Sequence, residues 1–177
     1  TGVTYSDEVV RRLAAMPCAA HDFRIFWDNA YSVHHLFDEP EHHDQVLDIG
    51  AACKKAGNPL RYFKFASTSK VTLPGAGIAA FAANPDNVGW FKRHLGITTV
   101  GPDKLNQLRH VRFLKDAEGI AAHMRKHAAI LRPKFQLVQK KLEEGLTEVG
   151  GCNWSTPRGG YFVSFDAPEG CATRIVQ

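Results

Sequence analysis

The chain has 177 residues, 44% of them hydrophobic, enough for one core or for parts of two domains. Its formal charge of +4 is scattered without a block of like charge, which argues against a nucleic-acid partner and leaves small anionic ligands open. Cys18, Cys53, Cys152 and Cys171 lie far apart with no CxxC pair, so free thiols in a reducing cytoplasm are expected rather than disulfides or zinc. No apolar run reaches membrane-spanning length.

In chain order, residues 4–16 predict a helix. Ser6 suits its N-cap, Asp7 and Glu8 its first turn, and Val9, Val10, Leu13 and Met16 form one apolar face. Residues 23–27 are nearly continuous apolar and predict a strand covered on both faces, ending in Asp28-Asn29-Ala30-Tyr31. After a polar loop at 38–44, Val46, Ile49, Ala52 and Cys53 predict a second helix, ended by Gly57-Asn58-Pro59. Tyr62, Phe63 and Phe65 form the next strand, which breaks into the small-residue turn Ser67-Thr68-Ser69-Lys70. Residues 78–83 form a further strand closed by Asn84-Pro85. This alternation predicts an α/β fold with a doubly wound, mostly parallel sheet.

Beyond Asn84 the pattern turns helical, at 88–95 and 103–114. A long helix at 116–149 follows, with Ile120, Met124, Leu131, Phe135, Val138, Leu142 and Leu146 apolar. Pro133 is expected to bend it and Gly150-Gly151 to stop it. A helix of this length commonly bridges two domains. Residues 159–165 alternate as a strand of a second, smaller α+β unit. The chain opens without a methionine and stops inside a helical-looking pattern, so a piece of a longer protein is expected.

Two strands that each end in polar groups are how an α/β sheet builds a site at its carboxyl edge. Lys70, in a turn directly after a strand, is an amine able to condense with a carbonyl. Taken singly, each residue also has a plainer reading: Lys70 as a solvated lysine, Asp28 as the cap of its turn, Tyr31 as an amphipathic aromatic at a strand end. The pairs His34-His35 and His42-His43 flank an acidic loop and read as solvated rather than metal-binding. His123 and His127 share a helix face but lack the glutamate of a zinc protease motif. Gly75-Ala76-Gly77 is too short for a dinucleotide loop.

Three motifs in register resemble the fold-type I pyridoxal-phosphate aminotransferases, the aspartate aminotransferase superfamily. They are Asp28-x-x-Tyr31, Ser67-x-x-Lys70 followed by Pro74-Gly75, and Pro157-x-Gly159-Gly160-Tyr161-Phe162. The resemblance covers essentially the whole chain. Phe65-Ala66-Ser67-Thr68-Ser69-Lys70 with Leu73-Pro74-Gly75-Ala76-Gly77 is similar to the class I/II subgroup that includes actinobacterial-type aspartate aminotransferases.

The resemblance implies that residues 1–115 are the C-terminal part of a large cofactor-binding domain, and that 116–177 are an interdomain helix and an incomplete small domain. It implies pyridoxal 5'-phosphate as cofactor. Lys70 would be covalently joined to it and would move the substrate's α-proton. Asp28 would face the pyridine nitrogen, Tyr31 would donate to the ring oxygen, and Ser67 would hold the phosphate, with Ser69 as a second candidate. The implied reaction is transamination between an amino acid and a 2-oxo acid, with aspartate and 2-oxoglutarate as the subgroup's pair. The same residues would also serve another cofactor-dependent enzyme, such as a lyase, decarboxylase or racemase, or the aminotransferase-like sensory domain of a transcription regulator. The implied partners are small molecules and a second copy in a cytoplasmic homodimer. One departure stands out: where the family places a phosphate-holding arginine after Pro-Gly, this chain has Gly77. The family's asparagine and its carboxylate-gripping arginine would fall outside the chain, so the residues that choose the substrate are not in view. The fragment alone is expected to be poorly soluble and inactive.

Overall fold

Twelve short elements alternate along the computed structural model, which describes residues 2–177. Helix α1 (Asp7–Ala15) is followed by strand β1 (Ile25–Asp28), a 3-10 turn at Pro40–His42, helix α2 (Ile49–Lys55) and strands β2 (Tyr62–Ser67) and β3 (Ala79–Ala83). Helices α3 (Pro85–Thr98), α4 (Lys104–Leu114) and α5 (Ala117–Leu146) come next, then strands β4 (Asn153–Trp154) and β5 (Phe165–Asp166) and helix α6 (Ala172–Val176). They sort into two compact units. A sheet unit holds residues 5–31 and 45–120; the other holds the residues up to Thr4, 32–44 and 121–177.

Local chemistry explains where the helices begin. The Ser6 side chain accepts from Val9 N at the start of α1, and Asp103 accepts from Asn106 N at the start of α4. Asn84 caps α3 with Pro85 at its first position, where the missing N–H costs nothing. Helix α2 starts at Ile49 rather than at Val46 because Asp48 caps it, accepting from Ala51 N at 2.7 Å. Gly57 follows α2 at φ +76, the left-handed conformation that favours glycine.

The sheet runs in the order β1-β2-β3. β1 and β2 are parallel, joined through α2, whereas β3 runs antiparallel to β2. The loop between β2 and β3 carries no helix, so it cannot make the crossover a parallel neighbour needs. One face of the sheet packs on α1 and α2: Val10, Ala14, Ile49, Ala52 and Cys53 are buried there, with Ile25, Trp27, Leu47 and Tyr62 against them. Each fully buried aliphatic side chain of this kind is worth about 1.5–3 kcal/mol. Asn58 and Arg61 close the unit by donating to Ala14 O at 2.9 and 3.0 Å, which satisfies a carbonyl left over at the end of α1.

Among the three strands of this chain β1 is outermost; Ile25 and Trp27 face the core, and Phe26 on the opposite side is 70% exposed, so within this part of the protein the expected cover on both faces is found on one.

In the second unit, α5 continues unbroken through Pro133. The strand expected over 159–165 shrinks to Phe165–Asp166, paired antiparallel with Asn153–Trp154. Its first residues instead pair with 34–36. Leu36 N donates to Arg158 O at 2.9 Å and Gly160 N to His34 O at 2.8 Å, around a bridge between His35 and Gly159. A Cβ on Gly159 would lie 2.6 Å from His34 O, so only glycine permits this approach. Gly2, at φ +75, meets Ser164 N equally closely, at 2.7 Å from where its Cβ would be.

Candidate functional site

Parallel pairing puts the carboxyl ends of β1 and β2 side by side. Asp28 lies opposite Phe65 in the register, and Asn29 N donates to Phe65 O at 2.8 Å. Side chains alternate along a strand, so Asp28, Phe65 and Ser67 belong to one face of the sheet. That face is the aromatic one. Phe26 packs on Phe63 and Phe65 with centroids 5.4 and 5.5 Å apart, and Phe81 joins Phe65 at 5.4 Å. Trp90 and Phe91 of α3 stack on Phe63 and Phe81. Ion-paired Lys64 and Asp48 occupy the opposite face; the hydrogen bond from Lys64 is the main cause holding the Asp48 carboxyl below its usual range.

The sequence-predicted residues fall at this edge. Asp28 is the last residue of β1 and is exposed; its Oδ1 accepts from Ala30 N at 2.9 Å, so one oxygen also caps the turn. Tyr31, half-buried, sits in that turn. Ser67 ends β2, and Lys70 is exposed in the turn that follows, next to buried Val71.

The Lys70 turn is tightly bonded within itself. Val71 N and Thr72 N both donate to Thr68 O at 2.9 Å, while Thr68 N donates to Ile78 O at 2.9 Å. The Ser67 and Ser69 hydroxyl oxygens lie 3.2 Å apart. Gly77, at the family's arginine position, folds back onto them: a Cβ there would be 3.2 Å from Ser69 N and Thr68 Oγ1. The two serine hydroxyls lie where a side chain at position 77 would crowd them. Hydroxyl donors suit a phosphate group, and the amine of Lys70 on the same turn suits a carbonyl. The residues present therefore fit a phosphorylated carbonyl ligand, with hydroxyls near the position at which the family has a guanidinium.

Four residues the sequence reading passed over hold this turn: Thr68, Thr72, Asn106 and His110. Asn106 Nδ2 donates to Gly77 O at 2.9 Å. His110, 6% exposed, sets Nε2 at 3.0 Å from Thr68 Oγ1 and 2.9 Å from Thr72 Oγ1, with Nδ1 2.8 Å from Asn106 O. The only sequence signal was the i, i+4 spacing of Asn106 and His110 on one helix face; nothing local named their partners.

The third motif lies in the other unit, where Tyr161 meets two histidines. Its ring is 5.2 Å from that of His34, and its hydroxyl is 3.5 Å from His127 Nδ1. Burial first, then the neighbouring His123 and His34, pushes His127 below the usual imidazole range; burial, His43 and His34 do the same to His35. Among the described residues no group of three or more His, Cys, Asp or Glu side chains is arranged to hold a metal ion. No described helix is long and apolar enough to cross a membrane.

Comparison with known proteins adds four findings. The family profile described as aspartate amino-transferase matches residues 1–177. An aspartate aminotransferase of Corynebacterium glutamicum is 49% identical over 178 residues, which is 100% of this chain and 40% of that protein. A crystal structure of an aspartate transaminase from Corynebacterium glutamicum superposes with a TM-score of 0.90 at 49% identity, covering 99% of this chain and 41% of that one. A kynurenine aminotransferase of Pyrococcus horikoshii, solved in complex with PMP, shares the fold alone, at TM-score 0.73 and 20% identity over 96% of this chain and 39% of its own. The chain thus spans about 40% of the length of the curated relative it matches.

Proposed function

Because this chain belongs to the aspartate aminotransferase family, we propose that the complete protein is a pyridoxal-phosphate-dependent transaminase, with aspartate and 2-oxoglutarate as its amino donor and acceptor. The carrying observation is the carboxyl edge of β1 and β2. An acid, a hydroxyl pair and a lysine meet there on one parallel strand pair and the turns that follow it. The names of the Corynebacterium relatives support the substrate pair. The PMP held by the Pyrococcus protein supports the class of cofactor.

When bound, pyridoxal phosphate supplies an aldehyde and an electron-accepting ring. The chain's own residues do the rest. Lys70 would hold the aldehyde end of the cofactor through Nζ, and its free amine would carry the proton taken from the substrate's α-carbon. Asp28 would offer its carboxylate to the ring nitrogen and keep a proton there. Tyr31 would donate from its hydroxyl to the ring oxygen. Ser67 and Ser69 would receive the phosphate through their hydroxyls, and glycine at position 77 leaves that turn the room a Cβ would take.

The test uses the complete protein. Borohydride reduction of the cofactor-loaded protein, followed by peptide mapping, is expected to label Lys70, and activity with aspartate and 2-oxoglutarate is expected to exceed that with other amino acids. A label on a different lysine overturns the site. Faster turnover with another donor overturns the substrate pair while leaving the site intact.

A further inference from the structure

We propose that His110 is a positioning residue of the Lys70 turn: one buried imidazole ties the two threonines on either side of the lysine to helix α4 and thereby sets where its amine points. The proposal rests on the reading of Lys70 given above and adds a residue to it.

The geometry carries it. Thr68 lies two residues before Lys70 and Thr72 two after, and their hydroxyls converge on the same nitrogen, Nε2, at 3.0 and 2.9 Å. The other ring nitrogen faces a backbone carbonyl, Asn106 O, at 2.8 Å, so Nδ1 carries a proton and donates it. In the neutral ring Nε2 is then an acceptor, and a threonine hydroxyl donates to it. Thr68 Oγ1 accepts from Ile78 N at 2.9 Å, which leaves its own hydrogen for Nε2; Thr72 Oγ1 lies 2.9 Å from Nε2 and 3.2 Å from Thr68 O, and its one hydrogen is shared between these two acceptors. The ring is 6% exposed, so water cannot replace it without opening the turn. Asn106, one helical turn away, holds Gly77 at the far end of the loop. Helix α4 thus grips the loop at Thr68, Thr72 and Gly77, while Lys70 between them is exposed. An amine that must reach both a cofactor carbon and a substrate proton loses rate when its backbone drifts, because misplacement by about 1 Å costs on the order of 100-fold.

Two replacements separate this role from a merely structural one. A glutamine amide at position 110 reaches about as far as Nε2 and can still bond the threonines; an asparagine amide reaches only as far as Nδ1, keeps the Asn106 contact and loses them. In the complete protein, His110→Asn and His110→Ala are expected to lower kcat about tenfold with KM changed less than twofold, and to shift the pH dependence of the cofactor's absorption band. Without cofactor, both are expected to speed hydrogen exchange at the amides of Val71 and Thr72 at least tenfold, while His110→Gln stays close to wild type in all three readouts. His110→Gln behaving like His110→Ala overturns the proposal, as does exchange at Val71 and Thr72 that no variant alters. Should His110→Ala fail to fold, Thr72→Val against Thr72→Ser decides: the valine variant is expected to loosen the turn and the serine variant not, and a valine variant equal to wild type overturns the proposal. Failure of the cofactor reading would show separately, as a borohydride label away from Lys70.

Discussion

Two of the three segments that carry a family motif, one in each compact unit, are held in opposite ways. The turn with Lys70 is held by side chains: its own threonine hydroxyls and a carbonyl meet one imidazole and one amide that reach it from α4. The segment with Gly159-Gly160 is held by backbone, paired with 34–36 at a distance that excludes a side chain. A side-chain clasp tolerates any residue that keeps the right polar atom in the right place. A backbone clasp depends on the absence of an atom. The first suits a site whose lysine must move; the second suits a fixed wall.

The largest effect tests the turn's cargo. Lys70→Ala in the complete protein is expected to abolish the cofactor's colour and to cut turnover by roughly 100- to 10,000-fold through lost proton transfer alone. Retained colour and retained exchange of amino groups would refute the functional reading.

Next comes the backbone clasp. Gly159→Ala sets a Cβ 2.6 Å from His34 O and is expected to cost about 1–3 kcal/mol in urea unfolding, as forced overpacking does. A neutral result would mean that the 34–36 pairing is looser than described.

Gly77 tests the side-chain clasp in the same currency. Gly77→Arg returns the family's residue, yet its Cβ would crowd Ser69 N and Thr68 Oγ1 at 3.2 Å. Cofactor binding is expected to weaken roughly tenfold, about 1.4 kcal/mol, measured by titrating absorbance. Tighter binding would show that the phosphate is short of positive charge rather than held by hydroxyls.

Smaller still is the cap of α2, beside the sheet's other face. Asp48→Ala is expected to cost about 1 kcal/mol by calorimetry, and Asp48→Asn less, because asparagine keeps the bond to Ala51 N.

The smallest effect separates the units by pH. His35 and His127 have their folded pKa values lowered, first by burial and then by neighbouring histidines, with Asp44 partly opposing the shift at His35. The unfolded chain therefore binds these protons more readily than the folded one. Stability is complete above about pH 6.5 and declines as pH falls below it. Asp48, lowered mainly by its bond from Lys64, acts only in the carboxylate range: its contribution is present above about pH 4 and is lost as pH falls through the folded value. Between pH 7 and pH 5, protection from hydrogen exchange relative to the unfolded chain at the same pH is expected to fall at 34–36 and 158–160 before it falls in β2. The reverse order would contradict the sign.

Much of the local structure was legible before any coordinates. Ser6 starts α1 as its chemistry prescribes, the helix expected from 103 begins there, and Gly57 closes α2, whereas Asn84-Pro85, read only as the end of a strand, also starts α3 three residues earlier than expected. The aromatic and apolar runs marked β1 and β2, and the polar residues at their ends marked the candidate edge. What escaped were contacts set by neighbours distant in the chain. Residues 23–27 look doubly covered because Phe26 is apolar, yet that ring's cover depends on where β1 stands in the sheet. Residues 159–165 alternate like a strand, but the glycines at their start allow a closer partner in 34–36 than a sheet neighbour would be.

Taken alone, the order of residues determined where several helices start, where β1 and β2 run out, and that an acid, a serine and a lysine lie at or just beyond those ends. Capping, turns and side-chain alternation act within a few residues, so they can be read from a string. Only the folded chain decided that His110 of α4 faces Thr68 and Thr72, some forty positions earlier, and that Gly77 rests where a side chain would intrude. Those arrangements follow from packing α4 against a loop, and no local preference specifies which imidazole meets which hydroxyl.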